Sequence, residues 1–476
     1  MGSTHNPHFV LFPFMSKGHT IPLLHLAQLL LRHGVKLTLL TTKANQPFIA
    51  QFLHRHADSI SVIELPFPSD VEGIPQGIES TDKLPCMSLF WRFVTATKLM
   101  QPHFEQALNN LAGVTCVVSD GFLSWTLASA NKLGIPRVSF FGMSGYSTAV
   151  ALEVGAKRLL SGSESDDELV TVTRFPWIKV TRNDFDEPFN QPDPTSPQLD
   201  SLMEIVVAMA NSHGLIMNSF YELEPLFIDY LNRECNLKAW CAGPLCLAES
   251  PEISDGASDH HDQKPKWVEW LDIKLSQGLS VLYVAFGSQV AISRQQLEAI
   301  SKGLEDSDVN FLWVVRKCEM TNHVVDELQE RVGERGIIVR EWVDQREILK
   351  HESVKGFVSH CGLNSVMESI CSEVPILAWP MMADQHLNAR MVVEEIKIGL
   401  SVETCDGSVR GFVKSEGLKK MVTELMEGER GKEVRKKVKD VGKAAKEAMA
   451  ENGSSWRTLD ELIDDVRTVR ETLSVE

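Results

Sequence analysis

Two doubly wound α/β domains, each built on a parallel sheet, are what this chain predicts, and three observations lead there. Apolar runs of strand length alternate with segments of helical period along almost the whole sequence, the pattern of a sheet covered by helices on both faces. That alternation begins twice, at residue 8 and again after residue 265, on either side of a stretch (249–265) with no apolar face that reads as a linker. At 476 residues the chain is also too long for one ordinary core.

HFVLFP (8–13) is the first strand. A loop, FMSKGHT, follows, and then IPLLHLAQLLLRHG, whose apolar positions recur at helical spacing up to a glycine stop. VKLTLLTT is the next strand, so the chain opens as a βαβ unit with a right-handed crossover. CVVSDGF (116–122), IPRVSFF (135–141) and GLIMNSF (214–220) add strands to the same sheet. Between 66 and 85, and again between 161 and 196, the pattern breaks into Pro, Asp and Ser. Irregular stretches of that length are binding loops or solvated connections.

The second domain starts at WVEWLD. Its strands are SVLYVAFGS (280–288), NFLWVVR (310–316), GIIVREW (336–342), GFVSH (356–360) and PILAWP (375–380). A lysine-rich helical stretch (414–450) reads as a solvated face. An amphipathic helix, WRTLDELIDDVRTVRETL, follows. The expected limits are 1–248 for the first domain, 249–265 for the linker, 266–455 for the second domain and 456–476 for the closing helix.

Composition narrows the function. With 43% hydrophobic and 23% charged residues the chain is an ordinary soluble globular protein. A net charge of −17 repels nucleic acid and anionic membranes, so neither is expected as a partner. Nine cysteines are scattered with no CxxC, and the cluster Cys235, Cys241 and Cys246 has no histidine at finger spacing. His260 and His261 likewise lack neighbours that would complete a metal site. Reduced thiols, no metal and a cytoplasmic monomer are the expectation. No basic-then-apolar leader opens the chain, and no apolar run approaches the roughly 20 residues of a membrane helix.

The most informative stretch is 342–385: an aromatic residue in a loop, an apolar strand, a polar turn opening a helix, and a second strand ending in Asp384 and Gln385. A helix start near Asn364 offers unpaired N–H groups and the positive end of its dipole, a phosphate cradle that needs no lysine. Asn364 and Glu368 share a helical face, and His360 and Ser365 crowd the same spot. Ser365-x-x-Glu368 also satisfies a plain capping box.

In order and spacing these residues resemble the nucleotide-sugar signature box of plant family-1 UDP-dependent glycosyltransferases, which spans 44 residues, as 342–385 does. NSFYELE at Asn218, Gly243-Pro244, WLD at Trp270 and AFGS at Ala285 extend the resemblance over the whole chain. It implies the GT-B fold, with two Rossmann-like domains facing a cleft and the last helix crossing back to the first domain. It implies that Trp342 stacks on uracil, with Val343 beside it, and that Gln345 and Glu368 bind the ribose. His360, Gly362, Asn364, Ser365 and Ser288 would hold the diphosphate, and Asp384, Gln385 and Ser144 the sugar. Gln385 favours glucose over galactose in that family. Four positions depart from the pattern: Lys17 for Gln, Asp344 for Pro, Leu363 for Trp and Glu373 for Gly.

Sugar transfer to a hydroxyl requires loss of a proton, and a positioned base accelerates it by roughly 10²- to 10⁴-fold. His19, after the first strand, and Asp120, at the end of another, can form an imidazole–carboxylate pair whose serine counterpart is the acceptor itself. Read alone, a loop His and a strand-end Asp are structural as readily as catalytic. The resemblance assigns His19 as base and Asp120 as its partner. The acceptor pocket should be apolar, with Phe90, Trp91, Phe122, Leu123, Phe141 and Met382 as candidates.

The expected activity is transfer of glucose from UDP-glucose, without metal or other cofactor, to a hydroxyl of a small lipophilic acceptor such as a flavonoid or other phenolic. A single displacement would give a β-glucoside. Terpenoid or sterol O-glucosylation and flavonoid C-glycosylation suit the same scaffold, and a non-catalytic nucleotide-sugar binder differs only at the base. A nicotinamide oxidoreductase would need GxGxxG after a strand, and no two glycines here are two apart.

Overall fold

The computed structural model describes residues 6–191, 196–248, 264–287, 292–315 and 319–473. The strands are, in chain order, β1 (His8–Phe12), β2 (Lys36–Thr41), β3 (Ile60–Glu64), β4 (Val114–Asp120), β5 (Arg137–Phe141), β6 (Val170–Thr171), β7 (Lys179–Val180), β8 (Gly214–Met217), β9 (Ala239–Cys241), β10 (Val281–Ala285), β11 (Asn310–Val314), β12 (Gly336–Val339), β13 (Val354–Ser359), β14 (Ile376–Ala378) and β15 (Gly399–Ser401). The helices that carry the argument are α1 (Lys17–Arg32), α2 (Gly145–Lys157), α3 (Gln345–Lys350), α4 (Leu363–Cys371), α5 (Gln385–Arg390) and α6 (Ser454–Leu473).

Two compact units result, neither continuous in sequence. The first comprises 1–145, 194–250 and 447–476; the second comprises 146–193 and 251–446. A boundary at 248 therefore misses the segment 146–193, which leaves the first half and is built into the second unit. The irregular composition of 161–196 hides this: among its described residues only the two-residue strands β6 and β7 pair, antiparallel. Most of the expected linker lies outside the described residues.

The first unit's sheet has the order β3-β2-β1-β4-β5-β8-β9, with every pairing parallel. β1 is buried along its whole length, as strands covered on both faces are. Phe9 and Leu11 pack with Leu23 and Leu24 of α1 and with Leu459 and Leu462 of α6. Val10 and Phe12 face the other way, toward Phe93, Phe104 and Trp125. The period of two thus splits one apolar strand between two cores. β3 and β9 escape the sequence pattern because β3 is half exposed at an edge and β9 is only three residues long.

The second unit repeats the design in six parallel strands, β12-β11-β10-β13-β14-β15, over a core that includes Leu282, Val284, Trp313 and Val358. Strand order reverses at β1/β4 in the first sheet and at β10/β13 in the second. Crevices outside the carboxyl ends of such switch-point strands are where open α/β sheets bind ligands.

Candidate active site

At the first switch point, β1 runs through Phe14 into α1, and β4 ends at Asp120. His19 stands in the first turn of α1, not in a loop; the helix begins at Lys17, two residues before it, with Ser16 as its N-cap. Its Nδ1 lies 2.8 Å from Asp120 Oδ2. Asp120 is 1% exposed and accepts a second bond, 3.0 Å, from the Phe122 N–H at Oδ1. Since an ionised carboxylate can only accept, Nδ1 carries the ring proton and Nε2 is the basic nitrogen. The His19 side chain keeps 25% of its surface open.

Beneath this pair lies Arg137 of β5, 1% exposed, which no sequence motif singled out. Its Nη2 donates to the Asp120 main-chain oxygen (3.1 Å), its Nε to Ser119 Oγ (2.8 Å) and its Nη1 to Ser212 Oγ (2.6 Å). Burial lowers its pKa to about 10 against the opposing pull of Asp120, so it stays a cation at neutral pH. The Nη2 bond fixes a positive charge directly behind Asp120.

Aromatic rings surround His19. Phe14 and Phe122 approach its ring edge-on at 5.6 and 5.3 Å, and Phe90 and Trp91 pack on Phe122. Phe90, Trp91 and Phe122 are partly exposed, whereas Phe14, which the sequence did not suggest, is buried behind them. Leu123 corrects an expectation: at 0% exposure it belongs to the core with Phe12 and Trp125 and has no surface for an acceptor. Phe141 is partly buried, its ring filling the space a Cβ on Gly121 would need. Met382 belongs to the second unit.

At the second switch point, β10 leads to Phe286-Gly287 and β13 to His360-Cys361-Gly362. His360 is wedged between two glycines: an added Cβ would come within 2.9 Å of its Nε2 at Gly287 and 2.7 Å at Gly362. Gly287 has φ 77°, a conformation that side chains resist. Burial pushes His360 down to about 4, so it is a neutral imidazole at neutral pH. Cys361 sits at φ 62°, uncommon for a residue with a side chain and concentrated at functional turns.

Helix α4 then starts with Gly362 as N-cap and no side-chain cap, a start whose dipole favours an anion. Ser365 lies inside the helix, so the capping box does not form. Its Oγ accepts instead from Gln345 Nε2 (2.8 Å), which also donates to Glu368 Oε2 (2.6 Å). Tyr283 of β10 donates to Gln345 Oε1 at 3.2 Å and fixes the amide's orientation. Glu368, ringed by protein though not wholly covered, is pushed up to about 7 by burial. Trp342 is 63% exposed, a broad ring on the surface. Val343 beside it, Asn364 and Asp384 are partly exposed.

Gln385 accepts from the N–H groups of Met381 and Met382 (3.0 Å each) through Oε1, so its NH₂ is the end that can face a ligand. Ser144 has 0% exposure and presents no surface to a sugar. Ser288 lies outside the described residues. The departures have local explanations. Asp344 caps α3 by accepting from the Arg346 N–H, and Glu373 takes φ 59° while pairing with Lys446 at 2.6 Å. Leu363 is buried at the start of α4. Among the described residues no group of three or more His, Cys, Asp or Glu could hold a metal ion, and no helix is long and apolar enough to cross a membrane.

Comparison with known proteins agrees with this geometry. Residues 251–438 match the model of the family described as UDP-glucoronosyl and UDP-glucosyl transferase. The chain is 52% identical to UDP-glycosyltransferase 90A1 of Arabidopsis thaliana, covering 99% of this chain and 98% of that one. It is 33% identical to UDP-glucose flavonoid 3-O-glucosyltransferase 7 of Fragaria ananassa over 96% of each. Among solved structures, UGT73P12 of Glycyrrhiza uralensis, complexed with glycyrrhetinic acid 3-O-monoglucuronide, superposes with a TM-score of 0.86 at 30% identity, covering 98% of this chain and 97% of that one.

Proposed function

This chain belongs to the plant UDP-glycosyltransferases, enzymes of the GT-B fold, and we propose that it transfers glucose from UDP-glucose to a hydroxyl of a small lipophilic acceptor, a flavonoid or other phenolic. The observation that carries the proposal is the 2.8 Å bond between His19 and Asp120 at the first sheet's switch point, walled by aromatic rings. In this reading His19 Nε2 takes the acceptor proton as the oxygen attacks the anomeric carbon. Asp120 steadies the resulting imidazolium, with Arg137 behind it. The oxygen–carbon bond forms as the bond to UDP breaks, inverting the α-linkage to a β-glucoside.

The leaving diphosphate is met by the start of α4, the neutral His360 and Asn364, without a metal or other cofactor. Trp342 stacks on uracil, Gln345 and Glu368 take the ribose, and Asp384 with the Gln385 amide takes the sugar. The enzyme is proposed to work as a cytoplasmic monomer. Flat phenolics suit the rings of Phe90, Trp91 and Phe122.

A panel of phenolic and terpenoid alcohols with UDP-glucose, read by product mass and acid lability, tests acceptor class and the O- or C-linkage. His19→Ala should lower turnover by about 10³-fold while leaving the UDP-glucose Kd within a factor of two. Lost donor affinity with retained turnover would refute the assignment.

A further inference from the structure

Asn388, one turn into α5 and three residues beyond the signature stretch, has 0% exposure. Its Nδ2 donates to the Cys361 main-chain oxygen (3.1 Å) and to Asp384 Oδ2 (2.8 Å), and its Oδ1 lies 2.8 Å from Ser147 Oγ of α2. A carbonyl and a carboxylate are pure acceptors, so the NH₂ must point at them, and the Ser147 hydroxyl must donate to the other end. One buried amide thereby ties together the strained turn at φ 62° that presents His360 and the carboxylate of Asp384, which the sequence placed at a strand end but which is the N-cap of α5, six residues past β14. The intervening turn is itself unusual, with Ala383 at φ 54°.

We infer that Asn388 is a positioning residue of the donor site, holding the Asp384 carboxylate at a fixed distance from the His360–Gly362 turn, an inference that rests on the reading of Asp384 as a sugar ligand. No other type of side chain of this size supplies two donors on one side and an acceptor on the other. A leucine would fill the volume but supply neither the donors that the Cys361 carbonyl and the Asp384 carboxylate accept from nor the acceptor that Ser147 Oγ donates to. An aspartate would set a carboxylate against a carboxylate and a carbonyl, tolerable only when a proton is shared.

That proton makes the role testable. UDP-glucose affinity is measured by calorimetry at pH 8 and pH 6 for the wild type, Asn388→Asp, Asn388→Ala, Ser147→Ala and Asp384→Ala, with melting temperatures alongside. Loss of the bridging donor should weaken binding at pH 8 by about tenfold in both Asn388 variants. In Asn388→Asp alone, the deficit relative to the wild type should shrink several-fold at pH 6, as the paired carboxyls share a proton. The charged neighbours are Arg390 with Asp184 and Arg410 with Asp186, both salt-bridged, and His386, which burial holds at about 4. Glu368, pushed up to about 7 by burial, titrates over the same range in wild type and variant alike, so it is the recovery of the deficit relative to the wild type that reports on the new carboxyl.

A merely structural amide would lower melting temperatures yet give no such pH-dependent recovery. UDP-glucose affinities within twofold of wild type in both Asn388 variants would overturn the inference. Should those variants not fold, Ser147→Ala, which removes only the lock on the amide's orientation, is expected to lose about threefold, and no loss there would overturn it. An Asp384→Ala protein that binds like the wild type would sink the sugar-ligand reading itself. Impaired Asp384→Ala beside silent Asn388 variants would sink only the role of Asn388.

Discussion

At the point where each sheet reverses its strand order, the two halves of this chain carry opposite chemistry. In the first, the ends of β1 and β4 hold a charged arrangement: His19, the buried carboxylate of Asp120, and the buried cation Arg137 beneath them. In the second, the ends of β10 and β13 hold a neutral one: two glycines, an imidazole kept uncharged by burial, and a helix start without a side-chain cap. A group that must exchange a proton needs a fixed partner charge to set its tautomer. A group that must receive a highly charged diphosphate needs close backbone approach and dipoles. One topology serves both because strand order fixes only where a ligand comes, and the last side chains of the strands decide what it meets.

If the division of labour holds, damage to one half should leave the other's function measurable. Asp120→Asn should show the largest effect, a fall in turnover of about 10³-fold with donor Kd unchanged, because the imidazole loses the partner that sets its tautomer. Steady-state kinetics beside calorimetry would show it, and a matching loss of donor affinity would mean that the halves are not chemically separate.

In the second unit, Asp184, 1% exposed, pairs with Arg390 through both oxygens at 2.7 and 2.8 Å. Asp184→Ala leaves a largely buried guanidinium without its main counter-charge and should cost about 3 kcal/mol in the denaturant midpoint. The segment 146–193 would then be shown to be an integral part of that unit.

The smallest effect concerns pH. Glu368 has a folded-state pKa of about 7, above its ordinary value, because burial penalises its charge. The folded protein therefore holds that proton more tightly than the unfolded chain, and Glu368 makes stability fall as pH climbs from about 4.5 through 7. Ribose hydroxyls donate best to the ionised form, so UDP-glucose affinity should rise about tenfold from pH 6 to pH 8. Glu368→Gln should flatten that slope, and a wild-type Kd that is level over the range would remove Glu368 from the ribose site.

Much of this was legible in the residues. Strands buried on both faces read as continuous apolar runs, which is why β1, β4, β10 and β13 stand where the sequence placed them. The helical period alone sets Ser365 and Glu368 on one face, whereas the bonds from Gln345, on the separate helix α3, depend on how the two helices pack. Other features were hidden. An arginine in an apolar strand has no sequence partner to announce it, and Arg137 was passed over although IPRVSFF contains it. Leu123 directly follows Phe122 and still turns into the core, packing with Phe12 and Trp125. Ser365-x-x-Glu368 has the letters of a capping box, but the helix starts two residues earlier.

What the sequence determined by itself is therefore local: two parallel α/β units, their order, and the signature stretch 342–385, all consequences of residue periods and helix-end chemistry. Tertiary structure alone decided which distant groups meet. His19 and Asp120 are 101 residues apart, Asn388 and Ser147 241. Their pairing depends on which strands lie side by side and which unit claims 146–193, and no period along the chain encodes that, because contacts at such separation follow from how whole apolar faces are buried together.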